Sequence, residues 1–101
     1  MSDRRNASRF TLIASAEVID LKSDAHLKAR TSDISIGGCY LDMVNPLPPG
    51  TAIRVEINNR DETFTTTGAV VYSNTNMGMG IRFSDVDDHQ LGVLKKWLTA
   101  V

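Results

Sequence analysis

Between Ser15 and Phe83 the chain is cut into short segments of alternating apolar and polar residues, each about ten residues from the next and parted by turn formers. Segments of that length cannot each supply a core helix. Their spacing predicts antiparallel strands that close into a small barrel or a sandwich. The clearest is Thr51 to Ile57, where Ile53, Val55 and Ile57 alternate with Ala52, Arg54 and Glu56. Others are expected from about Ser15, with Ala16 and Val18 on one face, then over Leu27–Ser35, Cys39–Met43, Thr63–Tyr72 and Met77–Phe83, six in all. The Thr63–Tyr72 segment is rich in threonine, valine and aromatics, which suit a strand, and Gly68 in its middle predicts a bulge or bend. Turns are expected at Lys22–Asp24, Asn58–Asp61 and Asn74–Asn76. Residues 45–50 hold all three prolines and end in Gly50, a strong loop signal.

The period changes after Phe83. Val86, Leu91, Leu94, Leu98 and Val101 fall near one helical face with Trp97 beside it, which predicts a helix over 86–100 lying on the barrel. Ser84 or Asp85 can cap its first turn, and Lys95 and Lys96 suit its far end. Residues 1–10 are polar, carry three arginines and lack periodicity, so they read as a flexible arm. The domain reading is an arm over 1–10 and a barrel with its helix over 11–101. The fold class is all-β, a six-stranded antiparallel barrel with a C-terminal helix.

Charge narrows the function. Eleven basic residues against twelve acidic ones leave a net charge of −1, unlike a domain built to coat duplex DNA. A single cysteine, Cys39, rules out an internal disulfide and a zinc site of two or four cysteines. No apolar run approaches the length of a membrane span and no signal-peptide pattern opens the chain, so membrane insertion is not expected and a cytoplasmic location is.

Two local features carry chemistry. The first is Arg4-Arg5-Asn6-Ala7-Ser8-Arg9. Guanidinium forks bind phosphate, and the O6/N7 edge of guanine, bidentately. The second is Asp33-Ile34-Ser35-Ile36-Gly37-Gly38. In an extended strand Asp33 and Ser35 share a face, where a carboxylate can accept from the N1/N2 edge of guanine and a hydroxyl can reach a phosphate or an amine. Glycine permits φ > 0 and close approach of a backbone N–H to an anion. Each has a plain alternative, a solvated basic tail for the first and a turn for the second. Together they suit one anionic guanine nucleotide held on the outside of a barrel.

Arg5-x-x-x-Arg9 followed by Asp33-x-Ser35-x-x-Gly38 resembles the paired signature of PilZ domains, bacterial receptors for cyclic di-GMP. The resemblance extends over most of the chain, through the Pro-Leu-Pro-Pro-Gly loop, the Gly78-Met79-Gly80-Ile81-Arg82-Phe83 segment and the closing helix. It implies a six-stranded barrel of a stand-alone, single-domain member. It implies that Arg5 and Arg9 bind phosphate and guanine, that Asp33 and Ser35 bind guanine and neighbouring polar atoms, and that Gly38, after Gly37, keeps the turn open. Arg4, directly before the motif, suits a second, intercalated nucleotide, so the ligand is expected as a self-stacked dimer. The resemblance further implies signalling to an unidentified protein partner in motility, exopolysaccharide or cell-cycle control.

Rival readings are a nucleotide-independent protein adaptor and a small barrel for single-stranded nucleic acid, with Phe10, Tyr40, Phe64, Tyr72 and Phe83 as stacking faces. An enzyme is not expected. His26 and His89 have no metal-spaced partner or nucleophile motif, Cys39 suits a buried apolar site, and Met77 and Met79 suit core filling. Beyond the nucleotide ligand, no cofactor or metal is implied.

Overall fold

The computed structural model describes residues 10–99. Its strands are β1 (Ala14–Asp20), β2 (His26–Ser35), β3 (Gly38–Asp42), β4 (Ala52–Asn59), β5 (Glu62–Asn74) and β6 (Gly78–Ser84), followed by α1 (Asp88–Thr99). All pairings are antiparallel. The order is β1-β2-β3-β6-β5-β4, and β1 bonds back to β4 to close the barrel. The six strands and the helix are those expected from alternation. Arg4, Arg5 and Arg9, and Val101 of the helical stripe, lie outside the described residues.

Alternation fills the interior. Val18, Ile53, Val55, Ile57, Phe64, Leu41 and Met79 are fully buried, and each sits at an inward position of its strand. Fully burying such a side chain stabilises by about 1.5–3 kcal/mol, which sets the pattern against strand slippage. Two inward threonines are satisfied rather than orphaned. Thr31 Oγ1 donates to the Tyr40 carbonyl at 3.1 Å, and Thr66 Oγ1 to the Ser84 carbonyl at 3.1 Å. Cys39 is buried, as expected. Met77 is not core filler: it lies in the β5–β6 turn and is 65% exposed, because the turn ends one residue before the inward alternation of β6 begins.

The helix starts at Asp88, two residues later than the apolar stripe suggests. Its cap is Asp87, whose carboxylate accepts the Gln90 N–H at 2.9 Å, rather than Ser84 or Asp85. Leu94 and Trp97 are its buried residues. Trp97 meets the edge of Phe64 with centroids 6.2 Å apart, and Phe64 meets Phe83 at 5.1 Å. Gln90 Oε1 also accepts the Thr65 N–H of β5 at 2.8 Å.

Glu62, at the start of β5, clasps the other end of the helix. Lys96 Nζ donates to its Oε2 at 2.7 Å and Trp97 Nε1 to its Oε1 at 3.1 Å. The Lys96 ammonium first, then the Trp97 N–H, hold the Glu62 carboxyl below the usual glutamate range. A carboxyl lowered in the folded state adds stability above its unfolded pKa, about 4.3, and loses it as pH falls through the folded value. Glu62→Gln should therefore flatten the fall in melting temperature below about pH 4.3, read by Trp97 fluorescence. An unchanged acid profile would remove the clasp from the acid response.

Candidate functional site

Two bulges shape one outer face of the barrel. On β2, Leu27, Ala29 and Thr31 take the inward positions, so unbroken alternation would turn Asp33 and Ser35 into the core. The ladder with β3 prevents this: Thr31 pairs with Leu41, the next pair is Asp33 with Tyr40, and Ser32 is the extra residue. Ile34 then becomes the inward residue, 1% exposed. Asp33 and Ser35 are left on the outer face, together, as the extended-strand argument expects. Thr31 Oγ1 braces the bulge through the Tyr40 and Asp33 carbonyls. Ser32 Oγ donates to Asp42 Oδ1 at 3.1 Å, and Arg30 Nη2 to Asp42 Oδ2 at 3.2 Å.

On β5, Phe64, Thr66, Gly68 and Val70 take the inward positions. Val70 pairs with Ile81, but Tyr72 pairs with Gly80, so Val71 is the extra residue. The bulge expected at Gly68 therefore lies three residues later. Gly68 itself is regularly paired with Ile53 and Phe83. The shift turns the Tyr72 ring outward onto Gly80, where a Cβ would lie 2.4 Å from the ring. Tyr40 stands beside it, centroids 6.1 Å apart.

The pairings align two rows of outward positions across four neighbouring strands. One runs Asp33, Tyr40, Gly80, Tyr72; the other runs Ser35, Gly38, Arg82, Ala69. Between them lies a cavity of about 180 Å³ whose lining includes Ser35, Gly37, Gly38, Tyr72, Gly80 and Arg82. The Ser35 side chain is almost wholly covered and donates to the Gly38 carbonyl at 3.3 Å, closing the β2–β3 hairpin.

The two hairpin glycines differ in their reason for being there. Neither has a positive φ, so turn freedom is not the cause at either. At Gly38 a Cβ would lie 2.1 Å from the Ile81 carbonyl oxygen, so the residue is needed for close approach of β3 to β6. At Gly37 a Cβ would meet nothing within 4 Å.

The chain entering the barrel is pinned to this same face. Past Thr31 the β1 side of β2 has no β1 residue opposite it, and Phe10 fills the gap: its N–H donates to the Ile34 carbonyl at 2.8 Å and its carbonyl accepts the Ile34 N–H at 3.0 Å. Ile34 lies between Asp33 and Ser35.

Sequence reasoning did not bring Tyr72 or Arg82 to this site. The available signal was Gly78-x-Gly80, bare positions on the outward side of β6. Of the aromatics considered as stacking faces, Phe64 and Phe83 are core residues, while Tyr40 and Tyr72 face outward. His26 is exposed and bonded to Glu17 at 3.0 Å. Among the described residues no three of His, Cys, Asp and Glu are grouped to hold a metal. No described helix is long and apolar enough to cross a membrane.

No curated protein sequence matches the chain. Solved structures share its fold. The PilZ domain of CeSA from a cellulose-synthesizing bacterium superposes with a TM-score of 0.73 at 18% identity, over 92% of this chain and 96% of that one. The Bacillus subtilis inhibitor of motility MotI/DgrA gives 0.80 at 14%, over 98% of this chain and 51% of that one. YcgR from Escherichia coli, solved in complex with c-di-GMP, gives 0.79 at 19%, over 97% and 46%. The chain thus spans about half the length of the last two. A family model described as the PilZ domain matches residues 3–100, from the arginine-bearing lead to the helix, and with the bulged six-stranded barrel and its outward Asp33-x-Ser35-x-x-Gly38 this makes the chain a member of the PilZ domain family.

Proposed function

We propose that this chain is a receptor for cyclic di-GMP, bound on the outer face of β2, β3, β6 and β5, with residues 1–9 closing over the ligand. The observation that carries the reading is the Phe10–Ile34 bridge. It holds Phe10 beside Ile34, between Asp33 and Ser35, and Arg9 precedes Phe10 by one Cα step of about 3.8 Å. Arg5, four residues further, is within about 18 Å of Phe10 even at full extension, so both can reach a nucleotide lying on that face. Arg5 and Arg9 would grip phosphate and the Hoogsteen edge of guanine; Asp33 would accept from its Watson–Crick edge. Tyr72 offers the base a ring to stack on. Similarity to YcgR, whose structure was solved with c-di-GMP, supports the same ligand.

The energetics favour a switch. Charge-assisted bonds of about 1.5–3 kcal/mol each oppose an ordering cost of about 1–2 kcal/mol for each arm residue. Affinity should be roughly micromolar or somewhat tighter, and the closed arm presents a new surface to a protein partner. Motility, exopolysaccharide and cell-cycle circuits are the outputs proposed. The protein acts by binding and carries out no chemical step on the nucleotide.

Calorimetric titration with cyclic di-GMP tests the reading, with proton–nitrogen spectra following residues 1–10. Arg4 is assigned to a second nucleotide intercalated with the first, so two ligands per protomer are expected. Saturation at one would remove the dimer. No heat and no spectral change at millimolar ligand would overturn the receptor reading itself.

A further inference from the structure

We propose that Arg82, on the barrel wall rather than the arm, binds a phosphate of the ligand; this rests on the cyclic dinucleotide reading. The cavity beside the Asp33-x-Ser35 face is lined by one cation, Arg82, and by no carboxylate. Its other polar side chains are the Ser35 hydroxyl and the Tyr72 phenol. A cavity of that makeup favours an anion.

The described residues next to Arg82 carry no opposite charge. Its outward ladder neighbours are Gly38 on β3 and Ala69 on β5, and its outward neighbours along β6 are Gly80 and Ser84. None is acidic, and among the described residues Arg82 has no ion-pair or side-chain hydrogen-bond partner. The barrel neutralises another outward arginine, Arg30, with Asp42 at 3.2 Å. Gly38 leaves bare backbone on one side of Arg82, and Gly80 on the other is covered by the Tyr72 ring, so the open approach to the guanidinium is from the Gly38 side. Both glycines are also demanded by packing, since a Cβ would strike Ile81 O at one and the Tyr72 ring at the other. At Gly38 the packing that keeps the position bare thus also keeps one approach to Arg82 open.

Ser35 and Arg82 are two strands apart in one row, about 10 Å between backbones at the usual strand spacing. A ligand with two phosphates can span that distance with one of them on Arg82. Arg82 is fixed on a strand hydrogen-bonded on both sides.

The test uses the full-length protein and cyclic di-GMP, with melting temperature as the fold control. Arg82→Ala should weaken binding about 10- to 100-fold at unchanged melting temperature. Arg82→Lys should stay within about threefold of wild type, because a point charge satisfies phosphate without a fork. Arg82→Glu should bind worse than Arg82→Ala. If Arg82→Ala binds like wild type, Arg82 is not a ligand contact. Should Arg82→Lys be as weak as Arg82→Ala, the contact is to a base edge and the phosphate assignment falls. A wild type that binds no cyclic di-GMP overturns the receptor reading, and this inference with it.

Discussion

Arg9→Ala is expected to abolish measurable cyclic di-GMP binding while the protein melts at its wild-type temperature, and Arg5→Ala to do the same. A guanidinium fork gives two charge-assisted bonds of about 1.5–3 kcal/mol each, against a total near 8 kcal/mol for a micromolar complex. Losing one fork therefore moves the dissociation constant toward millimolar. The arm segment precedes Phe10, whereas the buried core begins at Ala14, so stability should not change. Lysine at either position should also bind poorly if the fork reads guanine, since an ammonium lacks the paired donors. Calorimetry with a parallel thermal melt decides it. Undiminished affinity in either variant would take that arginine out of the mechanism.

The second large effect falls on adjacent glycines and has opposite outcomes. Gly38→Ala should be strongly destabilising and Gly37→Ala close to neutral. A methyl at Gly38 would lie 2.1 Å from the Ile81 carbonyl oxygen, so β3 and β6 must separate there. Overpacking costs about 1–3 kcal/mol and occasionally more, and for a domain of this size each kcal/mol lowers the melting temperature by about 4–8 °C. At Gly37 a methyl meets nothing within 4 Å, and the residue's φ is not positive. Thermal melts of the two variants side by side make the comparison. Equal melting temperatures would show that the hairpin can open at β3–β6 without penalty.

Much of the barrel was readable because alternation is a local signal. Ile53, Val55 and Ile57 declare an inward face within seven residues, and β4 follows it without interruption. The bulges were not readable, since an extra residue is defined by the count on the partner strand. Nothing between Thr31 and Ile36 says that Ser32 is skipped by Tyr40 and Leu41. Gly68 drew the β5 bulge to itself, yet it serves close approach to Arg82 O, where a Cβ would lie 2.5 Å away. The motif half of the candidate site was legible, because Asp33, Ser35, Gly37 and Gly38 are contiguous. Tyr72 and Arg82 were not, because β6 inserts between β3 and β5, and no local pattern announces that neighbour relation. The helix start slipped by two residues because several aspartates could cap it, and only Asp87 does so for Gln90.

The return of β1 to β4 has a consequence for recognition. Every strand of the closed cylinder has a hydrogen-bonded neighbour on each side, so it has no full-length edge strand for a visiting strand to zip onto. One interruption, beside Ile34, is taken by Phe10, and another, at Thr65 of β5, by the Gln90 side chain of the helix. A protein docking on this cylinder is therefore expected to read mainly its side chains and whatever covers them rather than to lengthen its sheet. On such a surface, a change in what lies over the Asp33–Tyr72 rows alters the exposed chemistry without disturbing the barrel beneath it.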